Sequence, residues 1–206
     1  AAERRSRVFV REVAATKLLE QIALAERSRL GALIAGAKGD RKIISVELTP
    51  PAGLDPVKAI RGAKMLKDGG VDIVNIPDGP RASSRLSPLV TAVRIQQDAG
   101  IEAILHFCCR DRNLIGMQSD LLGASTIGVR NLLIITGDPP KLGEYPSATG
   151  VFDMDSVALA GVARNLNRGV HIGGNGIEPP TSLVIGVGAN PVAADPDREI
   201  DRFKQK

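Results

Sequence analysis

The sequence predicts an α/β protein with a parallel sheet covered by helices, wound as a (β/α)8 TIM barrel that stops after about five strand–helix units. Three observations carry this prediction. From residue 42 onward, strand-like and helix-like segments alternate five times, which indicates a parallel sheet. The strands are nearly continuous apolar runs, as strands buried on both faces should be. Polar residues stand where these strands end, which is where parallel α/β folds bind ligands.

The elements follow in order along the chain. Apolar residues recur at helical spacing over residues 8–35, so residues 1–40 are expected to form a helical extension or an inter-domain linker before a partial barrel at residues 41–206. The five strands are predicted in "KIISVELTPP", "VDIVNIPD", "IEAILHFCCRD", "VRNLLIITGDPP" and "TSLVIGVGANP", and the helices that follow them at residues 55–70, 87–100, 113–128, 153–169 and 195–206. No G-x-G-x-x-G follows the first strand, which favours a barrel over an open dinucleotide-binding sheet. Because a complete barrel takes about 250 residues and eight strands, this one would be incomplete.

Composition and charge exclude several classes of protein. No apolar run approaches the roughly 20 residues of a membrane span, and the N-terminus has no signal-peptide core, so we expect a cytoplasmic protein without a membrane partner. The net charge is +4, with basic clusters in the first 42 residues. Without stacking aromatics or zinc spacing beside them, these clusters indicate a solvated helix or linker and no nucleic-acid partner. Cys108 and Cys109 are predicted to be small packing residues, and no metal site is expected.

Three side chains in or beside the strand ends could carry chemistry. Glu47, in "ISVELTPP", is expected to be buried, either as a general acid or paired with a basic group. Asp138, in "IITGDPP", is either a ligand-binding carboxylate behind a close-packed glycine or a common turn aspartate. His106, in "LHFCCRD", is either a ligand contact or a satisfied core histidine. Arg110 and Asp111 form a strand-end ion pair, or Arg110 meets a phosphate.

The order of the motifs adds information that no single motif provides. "ISVELTPP", "VNIPDGPRAS", "LHFCCRDRN", "NLLIITGDPPK" and "IGVGANP" together resemble the methylenetetrahydrofolate reductase family over about residues 42–206. The sequences of these motifs are most similar to those of reductases fused behind a homocysteine S-methyltransferase domain. Residues 1–40 would then connect that domain to the barrel. The resemblance implies a flavoprotein of one-carbon and methionine metabolism, in which FAD passes a hydride from NAD(P)H to 5,10-methylenetetrahydrofolate. We also expect a homo-oligomer.

Residue roles carry over from the resemblance position by position. Glu47 matches the general acid that protonates the leaving nitrogen of the folate ring, and Asp138 matches a carboxylate that anchors the pterin and favours a cationic iminium. The positions that match FAD contacts are His106, Thr136, Gly137, Asp138, Asp153, Glu199 and Lys206. Asn190 and Ala194 stand where many relatives have a tyrosine and a histidine, which leaves the choice between NADH, NADPH and another donor open.

Two alternatives remain beside the reductase. A flavin-free pterin-binding barrel, of the methyltransferase or pteroate synthase type, would use a strand-end site without FAD. A non-catalytic assembly module would bind neither flavin nor folate. Even for a reductase, a barrel that lacks strands would have an incomplete site, so the chain on its own could be unable to bind FAD or to catalyse the reaction.

Overall fold

The computed structural model describes residues 16–37 and 41–206. Within them, five strands and the helices between them follow one another in the predicted order. The strands are β1 (Ser45–Glu47), β2 (Ile73–Ile76), β3 (Ala103–Cys108), β4 (Asn131–Ile135) and β5 (Val184–Val187). The helices are α1 (Leu24–Arg27), α2 (Arg29–Gly36), α3 (Val57–Asp68), α4 (Pro88–Ala99), α5 (Leu114–Thr126), α6 (Ser156–Leu166) and α7 (Pro196–Gln205). Two short 3-10 helices, Pro80–Ala82 and Pro140–Leu142, lie in the loops after β2 and β4.

The five strands form one parallel sheet in the order β1-β2-β3-β4-β5. Each strand is therefore paired with its neighbours in the sequence, and each connection crosses over through a helix, as parallel pairing requires. The predicted α/β class and parallel sheet are confirmed. Sequential pairing is also the order of strands in a TIM barrel, with which the sheet is consistent.

The two faces of the sheet differ in cover because side chains alternate along a strand. One face packs under the helices and holds the main core, including Leu105, Phe107 and Ile134, which are all at most 2% exposed. Burying such a side chain fully contributes about 1.5–3 kcal/mol to stability. The opposite face carries Glu47 and His106 and is only partly covered by the described residues. Polar side chains can therefore reach solvent or a ligand from that face.

Short polar signals set where the helices begin and end. Ser87, Asn113 and Asp155 each accept a hydrogen bond from a backbone N–H in the first turn of the helix they precede. Such N-cap residues satisfy N–H groups that have no partner inside the helix. Helix α4 ends at Gly100, whose φ of 66° is the left-handed conformation that glycine adopts readily. The glycine seen after this helical segment in the sequence thus acts as a C-cap.

The helix predicted over residues 8–35 is present in its described part only from residue 24 onward, and it is divided in two. Residues 16–23 have no helix, and the helical segment that follows is divided into α1 and α2. Ser28 divides it because its backbone is extended, with φ −164° and ψ 171°, while its hydroxyl accepts a hydrogen bond in the first turn of α2. A polar residue that caps the second helix therefore ends the first. Residues 8–15 lie outside the described residues.

Helix α2 lies against the N-terminal ends of the strands. Leu30 is buried and packs with Ile73 and Val184, the first residues of β2 and β5. The carboxylate of Glu102 accepts hydrogen bonds from the backbone N–H groups of Arg29 and Leu30 at 2.9 and 3.1 Å. A carboxylate at the start of a helix is favourable because the helix dipole is positive there. The segment is thus attached to the sheet.

No helix in residues 16–37 and 41–206 has both the length and the apolar character needed to cross a bilayer.

Candidate active site

A pocket of about 480 Å³ opens at the C-terminal edge of the sheet, and we call it the strand-end pocket. Its walls are Glu47, Pro77, Asp78, Gly79, Pro80, Arg81, His106, Arg110, Ile135, Gly137 and Asp138. The volume lies within the range of about 300–1,000 Å³ that is usual for small-molecule sites. The pocket brings together five of the residues singled out in the sequence. They are Glu47, His106, Arg110, Gly137 and Asp138.

Glu47 is exposed, so the prediction that it is buried is wrong for the described residues. It is the last residue of β1 and is paired in register with Asn75 on β2. It ends the edge strand of the sheet, on a face that the described residues cover only in part, so solvent reaches the carboxylate. No described residue forms a hydrogen bond or an ion pair with its side chain, which is therefore free to meet a ligand in the strand-end pocket.

His106 is half-buried in the middle of the sheet, at the floor of the strand-end pocket. Its Nε2 lies 3.3 Å from Oδ1 of Asn75, whose amide group donates to the Ser45 hydroxyl. Burial lowers the pKa of His106 below its usual 6.5, although the carboxylates of Glu47 and Asp78 act in the opposite direction. The imidazole is therefore neutral at pH 7 and can both donate and accept a hydrogen bond.

The turn after β4 brings Asp138 to the pocket through a glycine. Gly137 has φ 93°, and a Cβ atom at this position would lie 3.0 Å from the Cβ of Cys108. Glycine is thus required twice, for its backbone conformation and for the close approach of the turn to β3. Asp138 is exposed, and its side chain has no hydrogen-bond partner among the described residues.

Arg110 fixes the loops around the pocket. Its guanidinium forms the predicted ion pair with Asp111, with Nε 2.8 Å from Oδ1. It also donates to the backbone oxygens of Gly79 and Asp138, at 3.2 and 3.4 Å. The buried guanidinium therefore connects the loop after β2 to the turn after β4. Each of these two segments forms one side of the strand-end pocket.

The buried ion pair between Asp78 and Arg112 was not predicted from the sequence. Oδ2 of Asp78 accepts hydrogen bonds from the backbone N–H of Cys108 at 3.0 Å and from Arg112 at 2.8 Å. Arg112 also pairs with Asp120 on α5, at 2.9 Å. The sequence offered one signal: the charged run "CCRDRN" ends the third strand, and an aspartate follows the second. This pattern indicates that charged side chains lie at neighbouring strand ends, but it does not show which of them form pairs.

Arg81 is a further pocket residue that sequence reasoning missed. It is exposed, lines the strand-end pocket, and has φ 56°, which is uncommon for a residue other than glycine. The nearby Arg85 lines a separate pocket of about 350 Å³, formed largely by residues 82–88 and the loop after β3. The sequence signal for this bend was "PDGPRA", in which glycine and proline mark a turn.

Two of the predicted flavin contacts have structural partners outside the strand-end pocket. Oγ1 of Thr136 accepts a hydrogen bond from the backbone N–H of Ser156 at 3.2 Å, at the start of α6. Oδ2 of Asp153 accepts a hydrogen bond from the backbone N–H of Leu114 at 2.9 Å, at the start of α5. Both side chains therefore stabilise helix N-termini, and their contact with a flavin stays a prediction.

Glu199 and Lys206, the other two predicted flavin contacts, lie on α7 and at its end. Oε1 of Glu199 accepts a hydrogen bond from the backbone N–H of Asn190 at 3.0 Å, and Nζ of Lys206 donates to the backbone oxygen of Gly188. They hold the segment after β5 against α7, outside the walls of the strand-end pocket. Their cofactor role also stays a prediction.

Three possible metal-ligating atoms lie within 4.8 Å of one another, on Asp78, Cys108 and Asp111. Their surroundings do not suit a cation. Asp78 is paired with Arg112 and Asp111 with Arg110, so both carboxylates are already neutralised. Burial raises the pKa of the Cys108 thiol to about 12, which disfavours the thiolate that a metal binds. We assign no metal to this group.

Both cysteines are expected to be unreactive in the folded protein. They are buried and free, and burial raises the pKa of each thiol to about 12. At pH 8 almost no thiolate is present, so Ellman's reagent should label neither residue within minutes, and both after unfolding in guanidinium. Rapid labelling of one thiol without denaturant would contradict the burial of this strand end.

Comparison with known proteins identifies the family. The family model described as Methylenetetrahydrofolate reductase matches residues 33–168, which include β1 to β4 and every wall residue of the strand-end pocket. No curated protein matches the chain. Among solved structures, a rubisco-like protein from Burkholderia fungorum is 13% identical, with a TM-score of 0.41 over 82% of this chain and 38% of that one. The chain thus spans well under half the length of that structure. Because the family model covers about two thirds of its residues, the chain belongs to the methylenetetrahydrofolate reductase family.

Proposed function

We propose that the protein reduces 5,10-methylenetetrahydrofolate to 5-methyltetrahydrofolate with FAD as cofactor and NAD(P)H as the hydride source. The observation that carries the proposal is the convergence of Glu47, His106 and Asp138 on one pocket, within the range matched by the family. These residues come from two different strands and from the turn after a third. Active sites of parallel α/β barrels are assembled in this way.

The strand-end pocket has the mixed lining that a flavin ring requires. Pro77 and Ile135 offer apolar contact, while His106 and the turn at Gly137 and Asp138 offer polar groups. A neutral imidazole suits such a contact because it can donate to or accept from a ring heteroatom. When bound, FAD would supply the hydride carrier between NAD(P)H and the folate. His106, Gly137 and Asp138 are the residues that we propose hold it.

Glu47 would supply the proton that opens the five-membered ring of the folate. The carboxyl group donates this proton to the ring nitrogen while the bond from that nitrogen to the methylene carbon breaks, which leaves an electrophilic iminium for hydride attack. Solvent reaches Glu47 in the described residues. A folate seated over β1 would exclude that water, and exclusion of water favours the neutral form of a carboxyl group.

Asp138 would act in its ionised form, as a partner for the pterin and for the cation. An exposed carboxylate at a strand-end turn can accept hydrogen bonds from ring N–H groups, and its charge favours a nearby iminium. Arg110 and Gly137 hold the main chain of this turn in place. The two carboxyl groups would thus have different tasks, Glu47 as proton donor and Asp138 as anchor.

The proposal is tested by visible absorption of the natural-length protein, with residues 1–206 alongside. We expect a flavin spectrum in the natural-length protein that is bleached by NAD(P)H without oxygen and restored by methylenetetrahydrofolate. If the natural protein is longer than this chain and only the longer form holds flavin, essential contacts lie outside residues 1–206. If neither protein holds FAD after reconstitution, a flavin-free pterin-binding barrel becomes the better proposal.

The wider context is proposed on the resemblance alone. We propose that residues 1–40 connect the barrel to a homocysteine S-methyltransferase domain, and that the protein is a cytoplasmic homo-oligomer. Light scattering of the natural-length protein would give the number of subunits, and homocysteine methylation by the same preparation would test for the second activity. A monomer without that activity would contradict both proposals.

A further inference from the structure

Arg81 is a free cation in the strand-end pocket. Its side chain forms no ion pair or hydrogen bond with any described residue, whereas Arg110, the other arginine in the walls of this pocket, is paired with Asp111. A guanidinium presents several N–H donors in a planar fork that matches carboxylate and phosphate groups. Among the arginines that line this pocket, Arg81 alone has its donors available to a ligand.

The backbone at Arg81 is held in an unusual conformation. Arg81 and Ala82 have φ 56° and 52°, in the left-handed region that residues with a Cβ seldom adopt. Such conformations persist where neighbouring structure enforces them, and they cluster at functional sites. The enforcing contact is visible here: a Cβ atom at Gly143 would lie 2.3 Å from the backbone oxygen of Ala82 and 2.7 Å from that of Arg81. The loop after β4 therefore supports the bend that carries Arg81.

We propose that Arg81 is the anion-binding residue of the strand-end pocket, and that it binds a phosphate or carboxylate group attached to the ring system of a ligand. Glu47 and Asp138 line the same pocket without hydrogen-bond partners among the described residues, so their oxygens are open to donor groups of a ligand. The ligand must therefore be bipolar, with hydrogen-bond donors toward these carboxylates and an oxyanion toward Arg81. The identity of that ligand rests on the proposed function, which offers the phosphates of FAD and NAD(P)H and the glutamate carboxylates of the folate.

The first test does not depend on the reductase activity. Binding of inorganic pyrophosphate at low ionic strength is measured by calorimetry for the unmodified chain, for Arg81→Gln and for Arg85→Gln. Arg81→Gln should weaken binding about ten- to hundredfold, as expected for loss of a charge-assisted hydrogen bond. Arg85→Gln removes an equally exposed arginine from the neighbouring pocket and should leave affinity unchanged. Absence of pyrophosphate binding, or equal losses in both variants, would overturn the proposal.

Arg81→Gly separates binding from folding. Glycine adopts φ 56° without strain, so this variant should have an unfolding temperature equal to or above that of the parent, together with the same loss of affinity as Arg81→Gln. If Arg81→Gly kept full affinity, the guanidinium would have no role in binding.

The same variants identify the source of the oxyanion in the natural-length protein. Titrations with FAD, NADPH, NADH and 5-methyltetrahydrofolate are compared for the parent and Arg81→Gln. Weaker binding of FAD or of the nicotinamide nucleotides assigns Arg81 to a phosphate, and weaker binding of the folate assigns it to a carboxylate. Unchanged affinity for all four would overturn the proposal, whereas a parent protein that binds no flavin would count only against the proposed reductase.

Discussion

Under the proposed function, substitution of Glu47 by Gln is expected to slow folate reduction by about two to four orders of magnitude while leaving reduction of the enzyme by NAD(P)H intact. Glutamine has the size of glutamate but cannot donate a proton to the leaving nitrogen of the folate ring. Loss of a general acid lowers rates by about 10²–10⁴-fold. In stopped-flow measurements on the natural-length protein, reoxidation by methylenetetrahydrofolate should slow by this factor. Reduction by NAD(P)H requires no proton from Glu47 and should be unchanged.

Glu144→Gln is the matched control for Glu47→Gln. Glu144 is an exposed carboxylate on the loop after β4 and lines neither pocket, so its substitution should change neither half-reaction. Equal slowing of both half-reactions by Glu47→Gln would mean that Glu47 supports the site as a whole. The assignment of Glu47 as the proton donor would then be wrong.

Asp78→Ala is expected to lower the free energy of unfolding by about 3–5 kcal/mol, because it leaves Arg112 in a largely buried position without its main partner. The side chains of Asp78 and Arg112 are 5% and 20% exposed. The variant also leaves the backbone N–H of Cys108 without its acceptor. Urea denaturation followed by circular dichroism measures the loss. Because Asp78 links the ends of β2 and β3, we expect the loss of stability to affect the sheet as a whole and not one helix alone.

Asp120→Ala tests whether burial is the reason for the cost of Asp78→Ala. Asp120 pairs with the same guanidinium at a similar distance, but its side chain is 44% exposed. Exposed ion pairs contribute about 0–1 kcal/mol, so we expect a loss within that range. Similar losses in the two variants would mean that the position of Arg112, and not the burial of Asp78, determines the energy.

The sheet could be predicted from local sequence because each of its signals lies within one element. The apolar residues of "AILHFC" and "NLLII" continue along each strand, and Ser87, Asn113 and Asp155 cap the helices that follow. The division at Ser28 and the docking of α2 on the sheet could not be predicted in this way. They depend on contact with Glu102 and with strand residues that are distant in the sequence.

Several residues of the candidate site could be predicted from the sequence, but their burial and their ion pairs could not. Strand-end position identified Glu47, His106 and Asp138, since the ends of parallel strands meet at one edge. Alternation showed which face Glu47 occupies, but burial depends on what lies over that face. The bend at Arg81 arises from contact with Gly143 in another loop. The pairing of Asp78 with Arg112 likewise joins segments 34 residues apart.

The contacts of the segment before β1 affect how the protein can be shortened. Arg27 donates to the backbone oxygen of Leu183 beside β5, and Leu19 donates its N–H to Arg168, while α2 is attached through Glu102 beside β3. One short stretch thus connects units that are far apart along the chain. A protein that started at residue 41 would uncover Ile73 and Val184 and would be prone to aggregation during expression and to proteolysis. The useful boundary for recombinant work therefore lies before Leu19.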